Sequence, residues 1–131
     1  MNLTKIKIIK LKIVKNSKGD ILKYLDKDNK SFKKFGEIYF SEIKYKKKKG
    51  WNFHKKCHSL LSVPFGTVKF TFMDKLRKKK KIITIGKRNH SLIVLPPEIW
   101  FSFTSLEKIS LVANTINYKH DDKETLKLPL K

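Results

Sequence analysis

In TVKFTFM, residues 67 to 73, Val68, Phe70 and Phe72 fall on every second position, and Lys69 and Thr71 fill the places between. Successive side chains of a strand point to opposite faces, so this spacing predicts a strand with one buried side. The same two-residue rhythm recurs. IKIIKLKIVK (6–15) brings Ile6, Ile8, Leu11 and Ile13 at near-alternate places, and GEIYFSEIKY (36–45) brings Ile38, Phe40 and Ile43. KIITIG (81–86), SLIVLPP (91–97), IWFSF (99–103) and ISLVANTINY (109–118) are further short apolar runs, and ILKYL (21–25) is a shorter one. Turn-forming residues separate them: NSKGD at 16–20, Pro64 to Gly66, Gly86, and the pair Pro96 and Pro97. No window sustains a helical period. Eight to ten short strands with turns every eight to twelve residues predict an all-β sandwich or barrel, without repeat or linker.

A chain of 131 residues suits one domain, residues 1–131, and folding should bury roughly two-thirds of the unfolded surface. Cys57 has no partner within the chain, which fits a reducing compartment. The amino-terminal stretch MNLTKIKIIKLKIVK is too interrupted by lysine for a secretion signal or a membrane span, so a soluble, cytoplasmic protein is expected. The net charge of +21 points less to nucleic acid than its size suggests, because only Arg77 and Arg88 among the 32 basic residues are arginine. Base reading and bidentate phosphate clamping favour the planar arginine fork. KYKKKKG (44–50) and KLRKKKK (75–81) read as solvated loops, and no specific nucleic-acid partner is expected.

Chemistry concentrates in KKGWNFHKKCH, residues 48 to 58. Strict alternation through this segment would place Asn52, His54, Lys56 and His58 on one face and Cys57 on the other. An imidazole titrates near neutrality, which suits proton transfer.

Five collinear stretches, FGEIYFSEI, KGWNFHKK, VPFGTVKFTFMD, VLPPEIWFSF and VANTINYKHDDKE, resemble the cupin family related to dTDP-4-dehydrorhamnose 3,5-epimerase, from about Ile8 to Glu124. The resemblance implies a cupin-type double-stranded β-helix, or jelly-roll barrel, often a homodimer. It further implies action without a cofactor on a nucleotide-linked 4-keto-6-deoxyhexose in surface polysaccharide synthesis. Epimerising a carbon beside a ketone needs a base for the α-proton, a group to stabilise the enolate oxygen, and an acid. The epimerases' base aligns with His54, and His58 is the second catalytic candidate. Trp51, Asn52, Lys56, Tyr39, Trp100 and His120 are the substrate-binding candidates. The chain departs from the epimerases at four places: their phosphate-contacting arginine aligns with Trp51, their lysine with Ser59, their second histidine with Phe101, and their tyrosine with about Ala113. Many cupins hold a metal through an HxH pair; here the spacing is HxxxH, and no metal is expected.

Two other functions compete with an isomerase. A carbohydrate- or nucleotide-sugar-binding cupin without turnover would explain the departures, and a lysine-driven nucleic-acid binder would explain the charge and lose affinity steeply with salt.

Overall fold

The computed structural model of the chain describes residues 2–129. Two five-stranded antiparallel sheets carry the fold. The first is ordered β1 (Lys7–Lys10), β9 (Ser91–Leu95), β6 (Ser59–Phe65), β11 (Ile109–Ile116) and β4 (Glu37–Lys44). The second is ordered β12 (Thr125–Lys127), β5 (Lys48–His54), β10 (Trp100–Ser105), β7 (Thr67–Met73) and β8 (Lys80–Gly86). A ribbon of β2 (Ile13–Val14) and β3 (Ile21–Leu22) stands apart from both. The connections β4–β5, β6–β7, β8–β9 and β10–β11 each pass from one sheet to the other, which is the crossing pattern of a jelly roll. No helix among the described residues is long and apolar enough to cross a membrane.

Period-two patterning dictates the layers. Val68, Phe70 and Phe72 of β7 are buried while Thr67, Lys69 and Thr71 are half-buried, and β8 contributes Ile83 and Ile85 to the same interior. Facing them from the first sheet are Ile43, Leu61, Val63, Ile93, Leu95 and Val112. Leu3 and Ile6, at the amino-terminal 3-10 turn, join that cluster. Removing each such side chain from water stabilises the fold by about 1.5–3 kcal/mol. A second apolar cluster of Phe53, Met73 and Trp100, with Trp51 and Leu128 packed against it, lies apart from the interior.

Several boundaries differ from the sequence reading. The run 6–15 breaks at Leu11, whose N–H bonds the His90 carbonyl, so it supplies two strands. Pro64 belongs to β6, and the turn to β7 rests on Gly66 alone, at φ 84°. Both lysine runs continue into strands, Lys48 and Lys49 in β5 and Lys80 and Lys81 in β8, so neither is wholly a loop. The three-residue β12 has no counterpart among the apolar runs of the sequence.

Candidate active site

Gly50 decides which side chains of β5 face inward. Its φ is 118°, and a β-carbon there would stand 2.6 Å from the Phe101 carbonyl oxygen, so only glycine allows β5 so close to β10. The register slips at this point. Phe103 pairs with Lys49, Ser102 with Gly50 and Phe101 with Asn52, leaving Trp51 as the extra residue of a bulge. Lys49, which is exposed, and Asn52, three apart, therefore border one cavity, and His54 follows Asn52 by strict alternation.

His54 ends β5 and is buried. Its Nδ1 lies 2.9 Å from Oε1 of Glu124, itself only 5 % exposed. The register Thr125 to His54 between β12 and β5 brings the carboxylate there. Glu124 is fully engaged. Oε2 accepts the backbone N–H groups of Lys56 at 2.8 Å and Cys57 at 3.0 Å, and Oε1 also accepts the Thr125 hydroxyl at 3.2 Å. Burial pushes its pKa up, but the hydrogen bonds from Lys56, His54 and Cys57 outweigh burial and hold it at about 2. An ionised carboxylate on Nδ1 makes that nitrogen the protonated one in the neutral ring, and Nε2 becomes the basic one. Among the described residues none hydrogen-bonds Nε2.

A cavity of about 90 Å³ opens between the sheets on the β4 and β5 side, lined by Tyr39, Ser41, Lys49, Asn52 and Asn114 among apolar walls that include Phe101 and Phe103. One water needs roughly 10–15 Å³ on this measure, so the space takes several, or the reacting edge of a sugar ring. Phe101 connects cavity and base, its ring centroid standing 5.9 Å from that of His54. Asn114 Nδ2 donates to the Tyr39 hydroxyl at 2.9 Å. Burial is the main reason the Tyr39 pKa rises, so the phenol stays a proton donor through neutral pH.

The candidates from sequence separate into two groups. Tyr39 and Asn52 line the cavity, and His54 adjoins it across Phe101. His58 does not join them. β5 stops at His54, the chain turns at Lys55 and Lys56 under the hold of Glu124, and His58 is exposed beside Lys33, Lys34 and Asn117. The same turn overturns the expectation for Cys57, whose thiol faces His54 and Glu124, all three ligand-type atoms lying within 4.8 Å of one another. Burial and the Glu124 charge push that thiol up to about 11, and both carboxylate oxygens already accept two hydrogen bonds each. Lys56 is exposed, its ammonium 4.6 Å from the Tyr118 ring centroid. Trp51 and Trp100 sit in the second apolar cluster rather than at the cavity. His120 is exposed and bonds Asp122 at 3.0 Å. Sequence reasoning missed Glu124 and Asn114 as site residues. Only strand register reveals them, since they lie 70 and 75 positions from His54 and Tyr39 respectively.

A family profile described as FdtA: WxcM-like, C-terminal, matches residues 4–126. The chain belongs to this family. A solved structure described as a dTDP sugar isomerase from Desulfovibrio desulfuricans superposes with a TM-score of 0.90 at 29 % identity, covering 95 % of this chain and 83 % of that one. QdtA, a sugar 3,4-ketoisomerase from Thermoanaerobacterium thermosaccharolyticum solved with TDP, shares 19 % identity at a TM-score of 0.80, over 95 % and 88 % of the two chains. The epimerase RmlC from Legionella pneumophila, solved with dTDP-4-keto-L-rhamnose, gives 0.83 at 15 % identity, over 95 % and 72 %. At such identities the last two speak for the fold alone, an RmlC-like cupin. No curated protein matches the chain.

Proposed function

We propose that this FdtA-family cupin isomerises a dTDP- or related NDP-linked 4-keto-6-deoxyhexose, with His54 as the base. The observation that carries the reading is the His54–Glu124 pair, which leaves Nε2 as the basic nitrogen of a ring that packs on Phe101, a wall of the polar cavity between the sheets. The likeness to a dTDP sugar isomerase at 29 % identity supports the substrate class.

The chemistry follows from the groups present. The C–H bond next to the ketone breaks, its proton passes to His54 Nε2, and the electron pair forms the C=C bond of an enediolate. The negative charge rests on the former carbonyl oxygen, where the Tyr39 O–H donates a hydrogen bond. Returning the proton to the former carbonyl carbon, while the hydroxyl proton moves to the neighbouring oxygen, completes a carbonyl shift. Returning it to the same carbon from the opposite face would instead complete an epimerisation. One imidazole can perform both halves of the carbonyl shift without changing side, and Phe101 lines the cavity where the epimerases' second histidine aligns, so the shift is the favoured reaction. Lys49 in the cavity wall, with Lys55 and Lys56 exposed nearby, would meet the diphosphate as point charges.

The test is incubation with dTDP-4-keto-6-deoxyglucose followed by NMR. A new keto sugar confirms catalysis; saturable binding of an unchanged sugar would establish the second reading, a nucleotide-sugar-binding cupin, which Ser59 and Ala113 at the places of the epimerases' lysine and tyrosine favour.

A homodimer, a cytoplasmic location and a role in polysaccharide synthesis belong to the same proposal. Supporting the dimer, Ile38 and Phe40 are 48 % and 65 % exposed on β4, the free edge of the first sheet. Sedimentation of Phe40→Glu should show a monomer where wild type shows a dimer; a monomeric wild type removes this part.

A further inference from the structure

Asp74 braces the tip of the β7–β8 hairpin. Its Oδ1 accepts the backbone N–H groups of Lys78 at 2.8 Å and Lys79 at 3.2 Å, and its carbonyl accepts that of Arg77 at 2.9 Å. Arg77 takes the left-handed conformation, φ 61°, as tight reversals often demand. Residues 75–80 are all exposed, and Leu76, at 72 %, is the most exposed large hydrophobic among the described residues. A lone exposed leucine is ordinary. This one stands on a fixed turn between Lys75 and Arg77, with Lys78 to Lys81 following. Of these cations only Lys75 forms an ion pair among the described residues, with Glu98 at 3.0 Å. Ile82, 60 % exposed on the edge strand β8, continues the apolar surface below the tip.

We propose that this hairpin tip docks the protein on an anionic lipid surface, Leu76 entering the headgroup layer while Arg77 and Lys78 to Lys80 lie against lipid phosphates. The inference is independent of the isomerase reading, since none of these residues lines the cavity between the sheets. Such binding rises with the apolar area inserted and with the number of cations near the surface. Nucleic acid, the rival polyanion, rewards aromatic rings that stack on bases and arginines that clamp phosphates. The tip offers an aliphatic side chain and, beyond Arg77, only lysine. A fluid headgroup layer needs neither, because its phosphates adjust to point charges. The other lysine run lies at the opposite end of the second sheet: β10 pairs Trp100 with Met73, where this hairpin begins, and Thr104 with Lys48. Four residues of strand span about 13 Å, beyond the screening length of about 8 Å at physiological salt. Only one of the two runs can therefore face the bilayer, and at the other the exposed Tyr45 ring is already covered by the Lys46 ammonium, 5.4 Å from its centroid.

The experiment is co-sedimentation of the full chain with vesicles of phosphatidylglycerol and phosphatidylcholine in equal parts, or of phosphatidylcholine alone, at about 0.15 M salt. Each variant is first checked for a native melting transition. Wild type should sediment with the anionic vesicles only. Leu76→Gln, which keeps every charge, should weaken that binding about tenfold. Lys78→Glu with Lys79→Glu should weaken it by about 10²–10³-fold, the backbone bonds to Asp74 being retained. Lys46→Glu with Lys47→Glu makes the same change in net charge at the opposite end and should cost less than about threefold. No sedimentation of wild type with anionic vesicles overturns the inference. So does an equal loss from the two double reversals, or binding indifferent to Leu76→Gln, since either would reduce the effect to net charge. Poly(U) bound more tightly than the vesicles, through the same lysines and without regard to Leu76, would also overturn it and assign the tip to nucleic acid.

Discussion

Nδ1 of His54 donates to Oε1 of Glu124 over 2.9 Å, and both side chains are shut away from solvent. This bond sets the tautomer of the ring, because the carboxylate is held ionised by two backbone N–H groups as well as by the imidazole.

Glu124→Gln separates charge from shape. The backbone donors of Lys56 and Cys57 need an oxygen, so the new amide must turn its NH₂ toward His54. That group donates to Nδ1, forces the proton onto Nε2 and removes the base. Turnover should fall by about 10²–10⁴-fold with the fold retained, as loss of the orienting carboxylate does in other histidine-dependent enzymes. Steady-state kinetics and circular dichroism check both halves; unchanged kcat would show that Glu124 does not orient the ring.

Acid stability follows from the same carboxylate. Its folded pKa of about 2 lies below the ordinary value of 4.5, so its contribution is full above pH 4.5 and is lost as pH falls toward 2. Urea midpoints measured from pH 7 down to pH 2 should decline through this window, and the decline should be shallower in Glu124→Gln.

The Cys57 thiol should be inert in the native protein. It is buried, and burial together with the Glu124 charge raises its pKa to about 11. Iodoacetamide at pH 8 should leave it unmodified over hours by mass spectrometry and label it promptly in urea; fast native labelling would contradict the packing around the base.

Gly50→Ala tests the bulge. A methyl group would meet the Phe101 carbonyl and Ser102 at a φ of 118°, so a loss of about 1–3 kcal/mol is expected, with a melting point lowered by several degrees. Because the bulge brings both Lys49 and Asn52 to the cavity wall, KM should rise as well. A neutral variant would mean that β5 has freedom to shift against β10.

Much of the fold is written in local patterning. Val68, Phe70 and Phe72 announce β7 because the pleat forces alternation, and Ile38 to Ile43 announce β4 for the same reason. What local patterning cannot carry is register. Thr125–Lys127 is too short and too exposed to declare itself a strand, yet its pairing with β5 is what delivers Glu124 to His54. His58 illustrates the opposite error, since alternation holds only while the strand lasts, and this one ends four residues earlier. The tryptophans stand away from the cavity because of the bulge at Trp51 and the outward parity shared by Phe53 and Trp100, whose rings stand 4.9 Å apart. Asn114 gave no signal at all, because a buried amide is recognisable only by the partner it lacks.

The most direct test of the account is solvent isotope exchange into dTDP-4-keto-6-deoxyglucose, followed by NMR in D₂O with wild type and His54→Asn. Wild type should exchange the ring proton next to the carbonyl many-fold faster than buffer, and His54→Asn should reduce exchange to the buffer rate while still binding the nucleotide. Equal exchange by the two proteins, or none by either, would contradict a catalytic His54.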